Sequence, residues 1–544
     1  MLKELLFLFQ FDPLYYPYAS RRTTVYSRKG MVATSQPLAA QAGLEILQQG
    51  GNAIDAAVAA AAALTVLEPT SNGIGGDAFA LVWTGGRLHG LNASGPSPAA
   101  ISIEAMRALG YDAMPKYGIH SITVPGAPAA WAALSDRFGN LSLADAMNPA
   151  IRYADEGYPI SSTLEYLFDY EFMKFGAMRK GTEFDGLYAT FTRNGNLPKA
   201  GELWRFPDHA RTLREIAGTN AVSFYSGALA DRIDDYMRKH GGLLAKEDLA
   251  AFRPEWVDPI KVNYRGYDVW EIPPNGHGLV ALQALNILGG YEFDHRDSVE
   301  TCHRQIEAMK LAFADGMQYI TDPKDMKADV PSLLSESYAS ERRALIGQQA
   351  IDPVPGNPPQ GGTVYVAAAD GEGNIVSYIQ SNYMGFGSGI VVDGTGIALQ
   401  NRGGDFSLDP SYANALAPRK KSYHTIIPGF MTKDGEAVGA FGVMGGFMQP
   451  QGHVQTVMNT VDFHLNPQAS LDAPRWQWRE GRTIELEPGF PDHLAQALQR
   501  RGHRIVRAAH PFNFGRGQII WRDPESGVLA GGTEPRTDGQ VSAW

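Results

Sequence analysis

The sequence predicts an α/β fold of the α+β kind, on three observations. Residues from about 100 to 350 carry mostly helical periodicity. From Thr363 onward the pattern changes to short strands separated by Gly and Asn turns. Between the two lies 351–362, a Pro- and Gly-rich linker and the one place where composition alone suggests a boundary. A chain of 544 residues can bury a substantial core, and 44% apolar with 19% charged residues is ordinary globular composition.

In chain order, residues 1–28 are rich in Tyr, Phe and Pro and read as an irregular arm. Its apolar run, 5–9, is too short for the core of an export signal, and no run is long enough to span a bilayer, so a cytoplasmic location is expected. Residues 31–34 suit a first strand. Residues 37–49 have helical spacing and stop at Gly50-Gly51. Asn52 or Asp55 then starts an Ala-rich run that is apolar on most faces, hence a helix buried on several sides. The glycines of TSNGIGGD (70–77) are not followed by Lys-Ser/Thr and complete no GxGxxG, so a tight turn near a buried site is expected rather than a phosphate loop. A hairpin follows, 78–83 with 87–92.

Helices are expected at 142–155, 211–217 and 298–315, interrupted by a strand pair at 260–264 and 267–272. Beyond the linker, 363–370 and 375–383 read as a hairpin with a four-residue loop. Simple register pairs Asp370 with Ile375 and brings Thr363 opposite Asn382, within one residue. Further strands are expected at 390–392, 397–399, 425–431 and 437–443, and helices at 449–459 and 491–501.

Several function classes are excluded. The net charge is −11 and the longest basic run is Arg419-Lys420-Lys421, which argues against nucleic acid as the main partner. The single cysteine, Cys302, allows no internal disulfide and reads as a core or surface thiol rather than a catalytic one. No HExxH, CxxC or His/Asp cluster at ligand spacing occurs, so neither a metal nor another cofactor is implied.

The residues that carry chemistry begin at Gly362-Thr363. A cut between them would leave Thr363 with a free α-amine beside its own hydroxyl. Such an amine has a pKa of about 7.7–8.0, so near neutral pH much of it can accept the hydroxyl proton. Three stretches place this threonine in a family: GGNAIDAAVAAAAALTVLEPTSNGIGGDAFALVW (50–83), the strand opening at Thr363 with DGEGN behind it and GFGSGI after it, and VMGGFMQPQGHVQ (443–455). Together they resemble the γ-glutamyltransferase (glutathione hydrolase) family of N-terminal-nucleophile hydrolases, and within it the branch that includes acylases and small-amide hydrolases.

The resemblance implies a four-layer αββα fold built as one unit from two subunits, 29–362 and 363–544, produced by self-cleavage of one precursor, with a possible homodimer of processed heterodimers. It implies that Ser381 holds the Thr363 hydroxyl and that the N–H groups of Gly445 and Gly446 bind the oxyanion. It further implies that Asp405 binds a substrate ammonium. Two positions depart from the pattern. Asn92 stands where glutathione-cleaving members carry a carboxylate-clamping arginine, and Asn supplies no charged fork. Arg402 stands where Gln is common, and is expected either to replace the missing cation or to bind a distal carboxylate of the acyl group. The 421–424 stretch replaces a serine pair, and His424 within it reads as a packed histidine rather than a catalytic one. The segment 407–419 is short for the family, which predicts an open cleft and hydrolysis over transfer to a second amine.

Three functions follow as expectations. The first is hydrolysis of γ-glutamyl amides through a threonyl acyl-enzyme. The second is an acylase or amidohydrolase of the same fold acting on another acyl group, such as glutaryl-cephalosporin or oxamate. The third, of another class, is an unprocessed binding protein. The expected partner is a small-molecule amide, with no nucleic acid and no membrane.

Overall fold

The computed structural model describes residues 17–18, 22–176, 181–353 and 362–544. Most of the 1–28 arm, Gly361 and most of the 351–362 linker lie outside the described residues. Two seven-stranded antiparallel sheets stack face to face. Sheet I runs Gln540–Ala543, Gly30–Thr34, Gly362–Asp370, Ile375–Tyr383, Asp77–Thr84, Arg87–Ala93, Glu255–Val257. Sheet II runs Val25–Ser27, Leu529–Thr533, Arg516–Arg522, Glu436–Met444, Gly429–Lys433, Tyr267–Glu271, Ile260–Tyr264.

The two-residue period of a strand decides the layers. In Gly362–Asp370, the side chains of Tyr365, Ala367 and Ala369 join Phe430, Ala440 and Ile520 of sheet II in the core between the sheets. Val364, Val366 and Ala368 point the other way, into a core shared with the helices that cover sheet I. Val438, Phe441 and Ile519 do the same from sheet II, under the helices Gly278–Leu288 and Val299–Tyr319. The result is the expected αββα sandwich, and both sheets interleave strands from before and after the linker.

The Ala-rich helix Ala53–Leu67 is buried along its whole length. Its N-terminus is a reciprocal capping box. Asn52 accepts from the Asp55 N–H and Asp55 accepts from the Asn52 N–H, each near 3 Å. Small side chains let this helix lie close on sheet I, and the Asp370 carboxylate accepts its Ala53 N–H at 2.9 Å. That contact ties the helix to the end of the Thr363 strand.

Three expectations are corrected. The end of the supposed arm, Val25–Ser27, is an edge strand paired with Leu529–Gly531, since β-prone Val and Tyr need a partner on one side only. The strand expected at 425–431 begins at Gly429, because Pro428 has no N–H to give a ladder. In the long hairpin Ile375 pairs with Ala369 rather than Asp370. Asp370 instead closes the turn, its carboxylate accepting from the N–H groups of Glu372 and Asn374 at 3.0 Å. A bulge between Gly362 and Val364 offsets that slip and still leaves Thr363 beside Ser381 and Asn382. Among the described residues no helix is long and apolar enough to cross a membrane.

Candidate active site

Thr363 lies at the start of a central strand of sheet I and is 1% exposed. Its Oγ1 is 3.1 Å from Ser381 Oγ on the neighbouring strand, the contact expected from sequence. Ser381 is held from two further directions. The Tyr383 N–H donates to its Oγ at 2.7 Å, and the Arg402 guanidinium donates through Nη2 at 3.2 Å. Tyr383 has φ of +76°, unusual for a non-glycine residue and costly unless the surroundings impose it. The strain aims an N–H at the serine beside Thr363.

Arg402 is fully buried, so a place on the surface is ruled out. Its Nη1 donates to Thr425 Oγ1 at 2.6 Å, and the guanidinium lies over the Tyr383 ring, 4.4 Å from its centroid. Two carboxylates balance its charge. Asp405 Oδ2 is 3.9 Å from Nη1, and the Tyr383 hydroxyl donates to Asp405 Oδ1 at 2.5 Å. Burial raises the Asp405 carboxyl above its ordinary range, against the pull of Lys116 and Arg402. Asp77 is the second; burial pushes its carboxyl up to about 7, opposed mainly by Arg402. His424 Nδ1 accepts the Ile426 N–H at 3.4 Å, so its Nε2–H donates to Asp77 at 3.0 Å. Burial and the neighbouring cations keep that imidazole neutral. It orients a carboxylate, as the sequence reading of a packed histidine implies.

Gly445 and Gly446 follow the end of the strand Glu436–Met444. Their φ values of +138° and +58° suit glycine, and no hydrogen bond among the described residues uses either N–H. The Gly446 carbonyl accepts from Gln449, in the first turn of Met448–Val461. Gln449 then reaches back. Its Nε2 lies 3.4 Å from Thr363 Oγ1 and its Oε1 accepts the Ile427 N–H at 2.9 Å. A cleft reaches Gly445 from outside, past Met384 and Gly385, between the rings of Tyr166, Tyr170 and Phe512.

Among the described residues, the side-chain hydrogen bonds of Asn92 go to Asn275 and Ser94 rather than to Thr363 or Ser381. Its amide donates to Asn275 at 2.9 Å and its oxygen accepts from Ser94, while Asn275 donates to the Ser422 carbonyl. It braces the 421–424 stretch. The short 407–419 segment folds on itself, Asn414 donating to the Asp405 carbonyl at 2.8 Å, with Leu408 and Leu416 packed on Met106 and Met114.

Sequence reasoning missed Gln449, Tyr383, Thr425 and Asp77. Gln449 was within reach, since it sits three residues past Gly446 in a stretch already singled out. The others depend on a bulge and a long-range arginine that no local pattern encodes. Among the described residues, His303, Glu307 and His503 are the one set with ligand atoms close enough for a metal ion. There Lys310 already holds Glu307 at 2.7 Å and His503 donates to His303 at 2.8 Å, so protein groups already engage these side chains.

Residues 39–544 match the family model described as Gamma-glutamyltranspeptidase. The chain is 37% identical over 530 residues to the glutathione hydrolase-like YwrD proenzyme of Bacillus subtilis (strain 168), covering 95% of this chain and 98% of that one. It is 35% identical over 529 residues to the acylase ACY 1 proenzyme of Pseudomonas sp. (strain SE83), covering 94% and 93%. The crystal structure of cephalosporin acylase from Bacillus halodurans superposes with a TM-score of 0.95 at 62% identity, covering 98% of this chain and 99% of that chain.

Proposed function

Since the chain belongs to the gamma-glutamyltranspeptidase family of N-terminal-nucleophile hydrolases, we propose that it is a self-processing threonine amidase of the acylase kind. In maturation the Thr363 hydroxyl attacks the Gly362 carbonyl, an N-to-O shift gives an ester, and water releases the new N-terminus. The products are a large chain, 29–362 with the arm before it, and a small chain, 363–544. In turnover the same hydroxyl attacks a linear amide. The Gly445 and Gly446 N–H groups take the oxyanion, the α-amine passes the proton to the leaving amine, and water cleaves the acyl-enzyme.

The observation that carries this reading is the Thr363–Ser381 hydroxyl pair beside Gln449, whose helix follows Gly445 and Gly446, two glycines whose N–H groups are not used elsewhere among the described residues. The state of Asp405 supports an acyl group other than γ-glutamyl. One oxygen is taken by Tyr383 and its charge is met by Arg402, so a substrate ammonium would compete with a cation already in place. One observation favours γ-glutamyl amides as the second reading: Asp405 Oδ2 has no hydrogen-bond partner among the described residues. The short 407–419 segment supports hydrolysis over transfer.

A denaturing gel with N-terminal sequencing tests maturation; two bands, the smaller starting at Thr363, are expected, and a single full-mass band from active protein refutes it. A panel of γ-glutamyl-anilide, glutaryl-amide and small dicarboxylic monoamides separates the two substrate readings. Turnover confined to γ-glutamyl compounds would leave only the second.

A further inference from the structure

We propose that the cleft leading to Gly445 takes the leaving half of the substrate, and that Arg516 on its wall recognises a carboxylate there, so that the enzyme prefers amides whose amine carries a carboxylate. The inference rests on the amidase reading above and names one chemical feature of its substrate.

Arg516 opens the strand Arg516–Arg522 and pairs across the sheet with Met444, the residue before Gly445. Cross-strand partners share a face, and Arg516, Met444 and Gly445 all line the cleft. The arginine is 5% exposed, and a cation so placed needs partners. Among the described residues its guanidinium makes one hydrogen bond, from Nη1 to Glu68 Oε1 at 2.7 Å. Glu68 is itself buried and accepts from the Ser35 hydroxyl at 2.5 Å. That ion pair fixes one side of the guanidinium. The Nε–Nη2 edge is left over, and such an edge grips a carboxylate with two parallel hydrogen bonds.

Thr70 adds a second polar group. It is 3% exposed, lines the same cleft, and its Oγ1 has no hydrogen-bond partner among the described residues. A buried hydroxyl left unpaired is costly, and a bound carboxylate would accept from it. The other ammonium and carboxylate lining the cleft, Lys174 and Glu171, pair with each other at 3.4 Å. The rings of Tyr166 and Phe512, stacked with centroids 4.7 Å apart, give the rest of the amine a flat apolar wall.

The chemistry assigns the cleft to the amine half. After acylation the acyl group stays on Thr363 while the amine departs and water takes its place, so that half needs a path to solvent. The cleft is such a path. The side chains of Arg402 and Asp405, by contrast, are buried and face each other.

The test compares two substrates that share an acyl group the enzyme turns over: the anilide and the amide of 3-aminobenzoate. The meta carboxylate adds a charge with little change in the basicity of the amine. Matured wild-type enzyme should favour the aminobenzoate amide by roughly 10- to 100-fold in kcat/KM, mainly through KM. Arg516→Met should bring that ratio to within about 3-fold of unity, and Arg516→Lys should restore part of it. A wild-type ratio near unity overturns the proposal, as does an Arg516→Met variant that loses both substrates in proportion and keeps the ratio. Should Arg516→Met fail to fold or to mature, product inhibition of the wild type decides. There 3-aminobenzoate is expected to inhibit at least about 10-fold more tightly than aniline, and equal inhibition sinks the subsite. Thr363→Ala tests the amidase reading separately. Activity in that variant, or no turnover of any amide by the wild type, refutes that reading and this one with it, whereas turnover without a carboxylate preference refutes only the role of Arg516.

Discussion

Two buried charge networks in this molecule contain similar residues and differ in how completely they are satisfied. In the first, Arg475, Arg536, Glu487 and Glu534 bind one another, and every carboxylate oxygen accepts a hydrogen bond. The surplus N–H groups go to the carbonyls of Phe514, Leu471 and Ala473. In the second, around Thr363, Arg402 Nε, Asp405 Oδ2 and both amide atoms of Asn382 lack partners among the described residues, and Tyr383 carries a strained φ. A saturated network holds loops in place. An unsaturated, strained one holds capacity for chemistry, and orphaned groups persist there because the surrounding sheet over-determines them.

The largest expected effect separates the two networks outright. Thr363→Ala should abolish both chain cleavage and amide hydrolysis while leaving the melting temperature near that of the uncleaved wild type. Cleavage is read on a gel and hydrolysis by amine release. Next, Gly445→Ala should lower kcat by roughly 10²–10³-fold, by moving an oxyanion donor. Its φ of +138° is hostile to an L-residue, and an added Cβ would meet Gly515 Cα at 3.1 Å.

Glu534→Gln should do the reverse. Removing one partner of a buried ion network costs about 3–5 kcal/mol of stability, seen as a fall in denaturant midpoint, while kcat of the folded fraction stays within a few-fold. A large kcat loss with no change in midpoint would erase the distinction.

The networks should also answer pH in opposite senses. Burial alone would raise the Glu534 carboxyl, but Arg475 and Arg536 outweigh it and the net shift is downward. Its contribution to stability is therefore present above the ordinary glutamate value and lost as pH falls through the lowered one. Asp77 is raised by burial to about 7. The folded state then binds a proton that the unfolded chain has released, so its contribution is present at low pH and fades as pH rises from about 4 to 7. Asp77→Asn should flatten that slope in urea titrations across the window; an unchanged slope would count against the buried carboxyl. The smallest effect is Gln449→Met, which removes one long contact to Thr363 and one to Ile427 and should lower kcat by about 2- to 12-fold.

Local chemistry explains which features could be read early. The Asn52–Asp55 cap, the Gly50-Gly51 stop and the 363–383 hairpin all depend on residues close in sequence. Their propensities agree with the fold, so the pattern reported it. The Val25–Ser27 edge strand and the start of the strand at Gly429 were misplaced, because an edge pairing and a proline's missing donor weigh only against a partner strand. The Arg402 network was less legible: the family resemblance named Ser381, Arg402 and Asp405, but not the contacts that join them to Asp77 and Thr425. Its members come from 77, 381, 402, 405 and 425, and nothing links those numbers until two sheets stack.

By itself, the sequence determined that a threonine following a glycine-rich linker opens a strand, and that a hairpin brings the end of the next strand back beside it. Periodicity and turn residues carry that information within a few turns of chain. Only the tertiary structure decided that a fully buried arginine, braced by two carboxylates and a tyrosine ring, stands behind the second hydroxyl. Its partners sit on segments far apart in the chain, and they meet only when those segments are packed together.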